Sequence, residues 1–336
     1  MRIAILRALR LGDLLCAVPA LRAFDTAWPD ARITFIGLPW ARQFAARFRH
    51  YIDAFVEFPG FPGMAERNVD AAALPGFFET ARTLRFDLVL QMHGSGEITN
   101  PLAILLGAGR AAGFYRPGRF CPDPNRYLEW RDDEQEVLRW LRLAGRLGAP
   151  DCGTHLEFPF CDGDFREWRA FDLRHYAVLH PGSQLASRRW PAERFAQVGD
   201  ALAQEGMRVV ITGTAAEAGL ARRVKDAMRQ PALDLAGRTT LGGLAALISR
   251  ARLLVANDTG VSHIAAATRT PSVIIACGSD PRRWAPLDRQ LHRVLYEPIE
   301  CRPCGYADCP IGHPCASAVS AKTVIDTCVR AFSCAA

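Results

Sequence analysis

Three turns in the second half of the chain combine hydroxyls, carboxylates and a guanidinium in spacings that suit an anionic, hydroxylated ligand. In "NDTGVSH" (257–263), Asp258 or Thr259 stands where it can cap a helix, and Ser262 and His263 fall within that helix's first turn. Gly260 lets a ligand approach the backbone, and the free amides of a helix start favour an anion. "HPGSQLASRRWP" (180–191) supplies Ser183, Gln184, Ser187, Arg188 and Arg189. A planar guanidinium offers a phosphate two parallel charge-assisted bonds. In "ITGTAAEAG" (211–219), Glu217 suits sugar or ribose hydroxyls and equally suits a capping box with Thr214. Each turn therefore has a structural alternative: a capped helix with a buried histidine, a solvated loop with Trp190 in the core, or the capping box.

The first half has fewer such groups. "RALRLGDLL" places Gly12 and Asp13 directly before the first helix. No G-x-G-x-x-G is present, so a dinucleotide fingerprint is lacking. Asp13 caps its helix in the simplest reading, but a carboxylate at a strand end is also where a general base belongs. "QMHGSGEITN" (91–100) adds His93, Ser95 and Glu97 as acceptor contacts. Near the end, "CRPCGYADCPIGHPC" spaces Cys301, Cys304, Cys309 and Cys315 as C-x2-C-x4-C-x5-C around His313. Short thiolate spacings hold structural zinc or iron, although a usual zinc site separates its two pairs further, and free thiols are the alternative. A metal here would use all four ligands and leave no open position for catalysis. "DGD" at 162–164 matches a metal–sugar-nucleotide motif by composition alone.

Positioning such turns requires strands that end at them and helices that begin there. Short β-rich runs alternate with helical patterns, the signature of α/β doubly wound units. Strands read at Ile3–Leu6, Ile33–Gly37, Phe55–Phe58 and Leu88–Gln91, then again at Tyr176–Leu179, Val209–Thr212, Leu253–Ala256 and Ser272–Ala276. Helices read from Asp13, with Leu14, Leu15, Val18, Leu21 and Phe24 on one face, over 134–147, and near 191–205, 214–228, 241–250 and 260–267. Pro191 opens one of them and Gly206 closes it. In open α/β sheets ligands bind outside the carboxyl ends of strands, where the quoted turns fall.

A chain of 336 residues exceeds the roughly 250–300 at which one core stops growing. Two domains are expected, 1–165 and 166–318, followed by a C-terminal helix in 319–336; "FCDGDFREW" serves as the linker. Residues 1–165 hold 19 Arg against 20 acids, and residues 166–336 hold 22 Lys and Arg against 15 acids. The second half is thus the expected place for an anionic ligand. A net +7 there, without an aromatic stacking platform, argues against nucleic acid. No secretory signal or spanning segment is read, so a soluble, cytoplasmic protein with reduced thiols is expected among its 11 cysteines. "WARQFAARFRHY" (40–51) mixes Arg42, Arg47 and Arg49 with Phe44 and Phe48, which suits either an amphipathic helix on an anionic membrane surface or solvated arginines over a packed face.

With these turns in place, nearly the whole chain resembles the bacterial heptosyltransferases of glycosyltransferase family nine. The marks are "RLGDLLCAVPALRAFDTAWPDARITFIG", "QMHGSGEITNPLAILLGA", "HPGSQLASRRWPAERF", "ITGTAAE", "DLAGRTTLGGLAALISRARLLVANDTGVSHIAAA" and the cysteine segment. The resemblance implies a GT-B fold, two Rossmann-like domains facing across a cleft, with a last helix that returns to the first domain. It implies inverting transfer of heptose from ADP-heptose to lipopolysaccharide core at the cytoplasmic membrane face, with no cofactor required. It assigns the base to Asp13 beside Gly12, and donor contacts to Ser183, Gln184, Arg188, Glu217, Asp258, Thr259, Gly260 and His263. The family often has Lys where Arg188 stands, which keeps the charge. The same turns would also serve another sugar nucleotide, a protein or other glycan acceptor, or a nucleotide-binding scaffold without catalysis.

Overall fold

The computed structural model describes residues 1–333, which divide into two compact units, Met1–Thr154 and His155 onward. The first contains β1 (Arg2–Leu6), α1 (Leu11–Ala27), β2 (Arg32–Gly37), α2 (Ala41–Arg47), β3 (Ala54–Glu57), α3 (Leu74–Leu84), β4 (Leu88–Gln91), α4 (Thr99–Leu105), β5 (Arg110–Tyr115), β6 (Tyr127–Glu129) and α5 (Glu136–Arg146). The second contains α6 (Asp162–Arg169), β7 (Tyr176–His180), α7 (Ala192–Gln204), β8 (Arg208–Ile211), α8 (Ala218–Ala227), β9 (Ala232–Asp234), α9 (Leu241–Ser249), β10 (Leu253–Asn257), α10 (Gly260–Thr268), β11 (Ser272–Ile275), α11 (Pro281–Trp284), β12 (His292–Leu295), α12 (Pro314–Ser317) and α13 (Ala321–Ser333).

Each unit is built on a wholly parallel six-stranded sheet. The orders are β3-β2-β1-β4-β5-β6 and β12-β11-β10-β7-β8-β9. Read from its own first strand, the second order repeats the first, and both match the Rossmann order 3-2-1-4-5-6. Helices cover both faces, so the central strands are buried throughout: Ile3 to Leu6, Tyr176 to Leu179 and Leu253 to Ala256 are all 0–1% exposed. In each sheet the strand order reverses once, between β1 and β4 and between β7 and β10. At such points the connections leave toward opposite faces, and open α/β sheets bind ligands there.

The boundary falls at Thr154/His155 rather than at 165/166. The segment read as a linker is α6, packed against α9, because its charged residues are spent locally. Asp164 accepts the Cys161 N–H at 2.9 Å, and Glu167 accepts the amide and hydroxyl of Thr240 at 2.8 and 2.6 Å. Helix α1 begins at Leu11, so Gly12 and Asp13 lie within its first turn instead of before it. The last helix, α13, packs on α7 and β11 of its own unit, burying Val324 and Cys328 completely.

Four strands escaped the periodicity. β5 carries Gly113, where a Cβ would lie 2.6 Å from the Gln91 side chain and 2.8 Å from its carbonyl, so close strand packing excludes the apolar residue that would have signalled it. β6 and β9 are three residues each, and β12 reads as polar.

β12 is tied at its start by His292, whose Nδ1 lies 2.8 Å from the Ser272 hydroxyl. Burial is the largest influence on this imidazole and pushes its pKa down to about 4. The unfolded chain binds that proton more readily, so the stability present above about pH 6.5 is lost as pH falls toward 4. Between pH 7 and pH 4, His292→Asn should therefore lose about 3 kcal/mol less than the parent chain in denaturant titrations; equal losses would refute the assignment.

Candidate active site

In the second unit, the turns after β7 and β10 meet at the switch point, and one side chain joins them. Asn257, fully buried at the end of β10, donates to the Pro181 carbonyl at 2.7 Å and accepts the Trp190 N–H at 2.9 Å. It pins both ends of the 181–190 turn. Within that turn Ser183 is buried and its carbonyl accepts Arg189 Nε at 2.8 Å, while Gln184 is exposed. Arg188 has a buried Nε with no hydrogen-bond partner among the described residues. Ser187, read as a phosphate-contacting hydroxyl, is used structurally: its Oγ donates to the Tyr306 carbonyl at 2.6 Å.

The following segment does not behave as a well-capped helix. Thr259 occupies the cap position of α10 without a side-chain bond to the helix. Asp258 Oδ2 is buried and has no partner among the described residues. Ser262 folds back, its N–H and Oγ both donating to the Thr259 carbonyl at 3.0 and 2.7 Å. His263 is buried and sits edge-on to Trp284, with ring centroids 6.4 Å apart. An unsatisfied buried carboxylate oxygen costs on the order of 1–3 kcal/mol, more when charged. A guanidinium nitrogen and a carboxylate oxygen orphaned on the turns of adjacent strands are what a removable polar ligand would satisfy.

Glu217 serves both of its readings. Its Oε2 accepts the Thr214 amide at 2.8 Å and hydroxyl at 2.9 Å, the glutamate half of the capping box. Its carboxylate also lies against Gly182, where any Cβ would collide with it, so it borders the 181–190 turn. Beneath it His180 is buried, 3.0 Å from the Thr212 hydroxyl, and burial holds its pKa below the ordinary histidine value despite the opposing charge of Glu217.

In the first unit, Asp13 is half-buried in the first turn of α1, and its Oδ2 accepts the Arg10 N–H at 3.2 Å. Gly12 is buried beside it. His93, on the turn after β4, is buried: its Nδ1 accepts the Ala8 N–H at 3.2 Å, and its Nε2 faces Glu66 Oε1 at 3.3 Å. Accepting at Nδ1 places the proton of a neutral ring on Nε2, where it donates to Glu66. That bond holds the Glu66 carboxyl below its usual pKa. Ser95 is half-buried between Gly94 and Gly96, both in the left-handed region. Glu97 turns away to pair with Arg116 and Arg119 at 3.6 and 3.2 Å.

Cys301, Cys304, Cys309 and Cys315 line one small cavity of the second unit with Cys277 and His313. This segment clasps the 181–190 turn: Ser187 N–H donates to the Ala307 carbonyl at 2.9 Å, and His313 Nε2 donates to the Ser187 carbonyl at 2.7 Å; Cys304 N–H is bonded beyond β11, to the Gly278 carbonyl, at 2.7 Å. Among the described residues, no three His, Cys, Asp or Glu side chains are gathered in a form that could hold a metal ion. Helix α2 is shorter than the 40–51 segment, and its aromatic face is consumed in the core, with Phe44 and Phe48 at 1% and 0% exposure. That face has no apolar surface left to insert into lipid, so the arginines lie over an ordinary packed face. No helix among the described residues is long and apolar enough to cross a membrane.

Sequence reasoning missed Asn257 as the tie between turns, and missed Glu66, Arg7 and Glu136. The arginine that interrupts the apolar run "ILRAL" (5–9) was the available signal for Arg7. Nothing local marks a partner 129 residues away.

Comparison with known proteins agrees with this architecture. The model of glycosyltransferase family 9 (heptosyltransferase) matches residues 77–314. Lipopolysaccharide heptosyltransferase 3 of Escherichia coli (strain K12) is 35% identical over 158 residues, and that match spans 45% of this chain and 46%, about half, of that protein. Another lipopolysaccharide heptosyltransferase 3, from Escherichia coli, is 32% identical over 293 residues, covering 82% of this chain and 83% of its own. The solved E. coli ADP-heptose lps heptosyltransferase II superposes with a TM-score of 0.77 at 19% identity over 99% of each chain, which gives this chain the GT-B fold. This chain belongs to glycosyltransferase family 9, the heptosyltransferase family, and is a glycosyltransferase.

Proposed function

We propose that this protein moves a heptose from ADP-heptose to a lipopolysaccharide core acceptor, with inversion and without a catalytic metal. Family membership gives the reaction class, and the observation that supports the site is the pair of orphaned buried atoms, Arg188 Nε and Asp258 Oδ2, on the turns after β7 and β10. In this reading Arg188 and the amides at Thr259 and Gly260 take the diphosphate, with charge growing on it as the sugar leaves. Ser183, Gln184, Glu217, Asp258 and His263 hold the remaining donor hydroxyls and base. Asp13 accepts the proton of the acceptor hydroxyl as its oxygen bonds to the anomeric carbon, and the bond from that carbon to the diphosphate breaks, releasing ADP. The transition state is oxocarbenium-like. His93 and Ser95 lie on the acceptor-side turn, where His93 is held by Glu66. An acceptor of this class places the protein at the inner face of the cytoplasmic membrane, held by charge through Arg42, Arg47 and Arg49 rather than by insertion of α2.

Calorimetry with ADP, using UDP and NAD as controls, tests the donor half. ADP should bind selectively in the presence of chelator. Arg188→Ala should weaken it about 10- to 100-fold, and Asn257→Ala should weaken it as well by releasing the turn that carries Arg188. Asp13→Asn should leave ADP binding within about twofold and lower heptose transfer to core acceptor by more than about 100-fold. Preference for UDP would discard the heptose assignment, and transfer to a protein but not to core glycan would discard the acceptor.

We further propose that the cysteine segment holds a structural zinc or iron. The four thiols line one cavity on the loop that clasps the 181–190 turn. Binding requires the side chains to rotate until four sulfurs lie about 2.3 Å from one ion. Metal analysis of the purified protein should return about one equivalent per chain and lose it in Cys304→Ser/Cys309→Ser; metal-free, fully folded parent protein would reject the site.

A further inference from the structure

We infer that Arg7 and Glu136 are positioning residues for the reaction, holding Asp13 and the His93 turn in one fixed arrangement. The inference rests on the reading of Asp13 as the base. Arg7 lies just beyond the end of β1 and is completely buried. Its Nε and Nη2 both donate to the backbone carbonyl of Asp13, at 3.0 and 2.5 Å. Its Nη1 donates to the carbonyl of Met92, the residue before His93, at 2.5 Å. One guanidinium thereby binds the two turns that leave β1 and β4 at the switch point, and its rigid planar fork fixes their separation.

The arginine is itself held. Glu136, 1% exposed at the start of α5, places Oε1 3.3 Å from Arg7 Nη2 and accepts the Trp140 Nε1–H at 3.0 Å. Its other oxygen pairs with buried Arg139, which lies 3.8 Å over the Trp130 ring, while the Arg7 guanidinium lies 4.3 Å over Trp140. Stability alone is a weak reason for such an arrangement, because well-packed apolar residues commonly replace buried ion pairs at no loss. Geometry is the better reason: a base displaced by 1 Å costs about 100-fold in rate.

The test measures kcat and donor KM for Arg7→Lys, Arg7→Met, Glu136→Gln and Leu143→Ala, at a temperature where circular dichroism shows each variant fully folded. Leu143 is a buried residue of α5 outside this network, and its truncation controls for lost stability. Arg7→Lys and Glu136→Gln should lower kcat about 100-fold while donor KM and calorimetric ADP affinity stay within about twofold; Leu143→Ala should lower Tm and keep kcat. In an Asp13→Asn background, Arg7→Lys should cause no further fall, because the two act as a unit. Unchanged kcat in folded Arg7→Lys and Arg7→Met, or effects that simply multiply with Asp13→Asn, would overturn the inference and leave the base intact. Full activity in Asp13→Asn alone would instead overturn the base reading, and the inference with it.

Discussion

The reversal of strand order at the centre of each parallel sheet sets where this protein can do chemistry. At most of the other strand ends a helix follows on the way to the next strand. At β1/β4 and β7/β10 the connections diverge, so polar turns rather than covering helices meet at the strand ends. Both units repeat the same order, yet they furnish the two points differently. The first gathers a carboxylate and a histidine already bonded to Glu66; the second leaves a guanidinium nitrogen and a carboxylate oxygen without partners. The difference agrees with the charge distribution along the chain, near neutral in the first half and basic in the second.

Each switch point is closed by one buried polar side chain that has no contact with solvent. Asn257 reaches from β10 to both ends of the 181–190 turn, and Arg7 reaches from β1 to α1 and to the turn after β4. Buried groups of this kind must have every bond supplied from within the fold. A turn joined to such a group has one position rather than many. The cysteine segment adds a second clasp on the 181–190 turn through Ser187, so the turn that carries Arg188 is held from two sides. A loop that long and poor in regular structure is thereby coupled to the site itself.

Local sequence determined much of this. Among the described residues, eight of the twelve strands stood out as short apolar or β-branched runs, most of them buried on both faces and so without polar interruption. The turns with candidate chemistry stood out because hydroxyl, glycine and charged residues break those runs abruptly, and the family resemblance rests on the same turns. Tertiary structure decided what one-dimensional spacing does not hold. Whether Asp258 caps a helix or stands unsatisfied, and whether Ser187 faces a ligand or a carbonyl 119 residues away, depend on which backbone groups the fold delivers. The same holds for Phe44 and Phe48, which a helical pattern leaves free for lipid and the core claims, and for α6, whose acids read as a linker until Cys161 and Thr240 supply their donors. Periodicity reports burial along one element, whereas hydrogen-bond satisfaction is a property of the assembled chain, and it was the second that separated structural polar residues from those still lacking a partner.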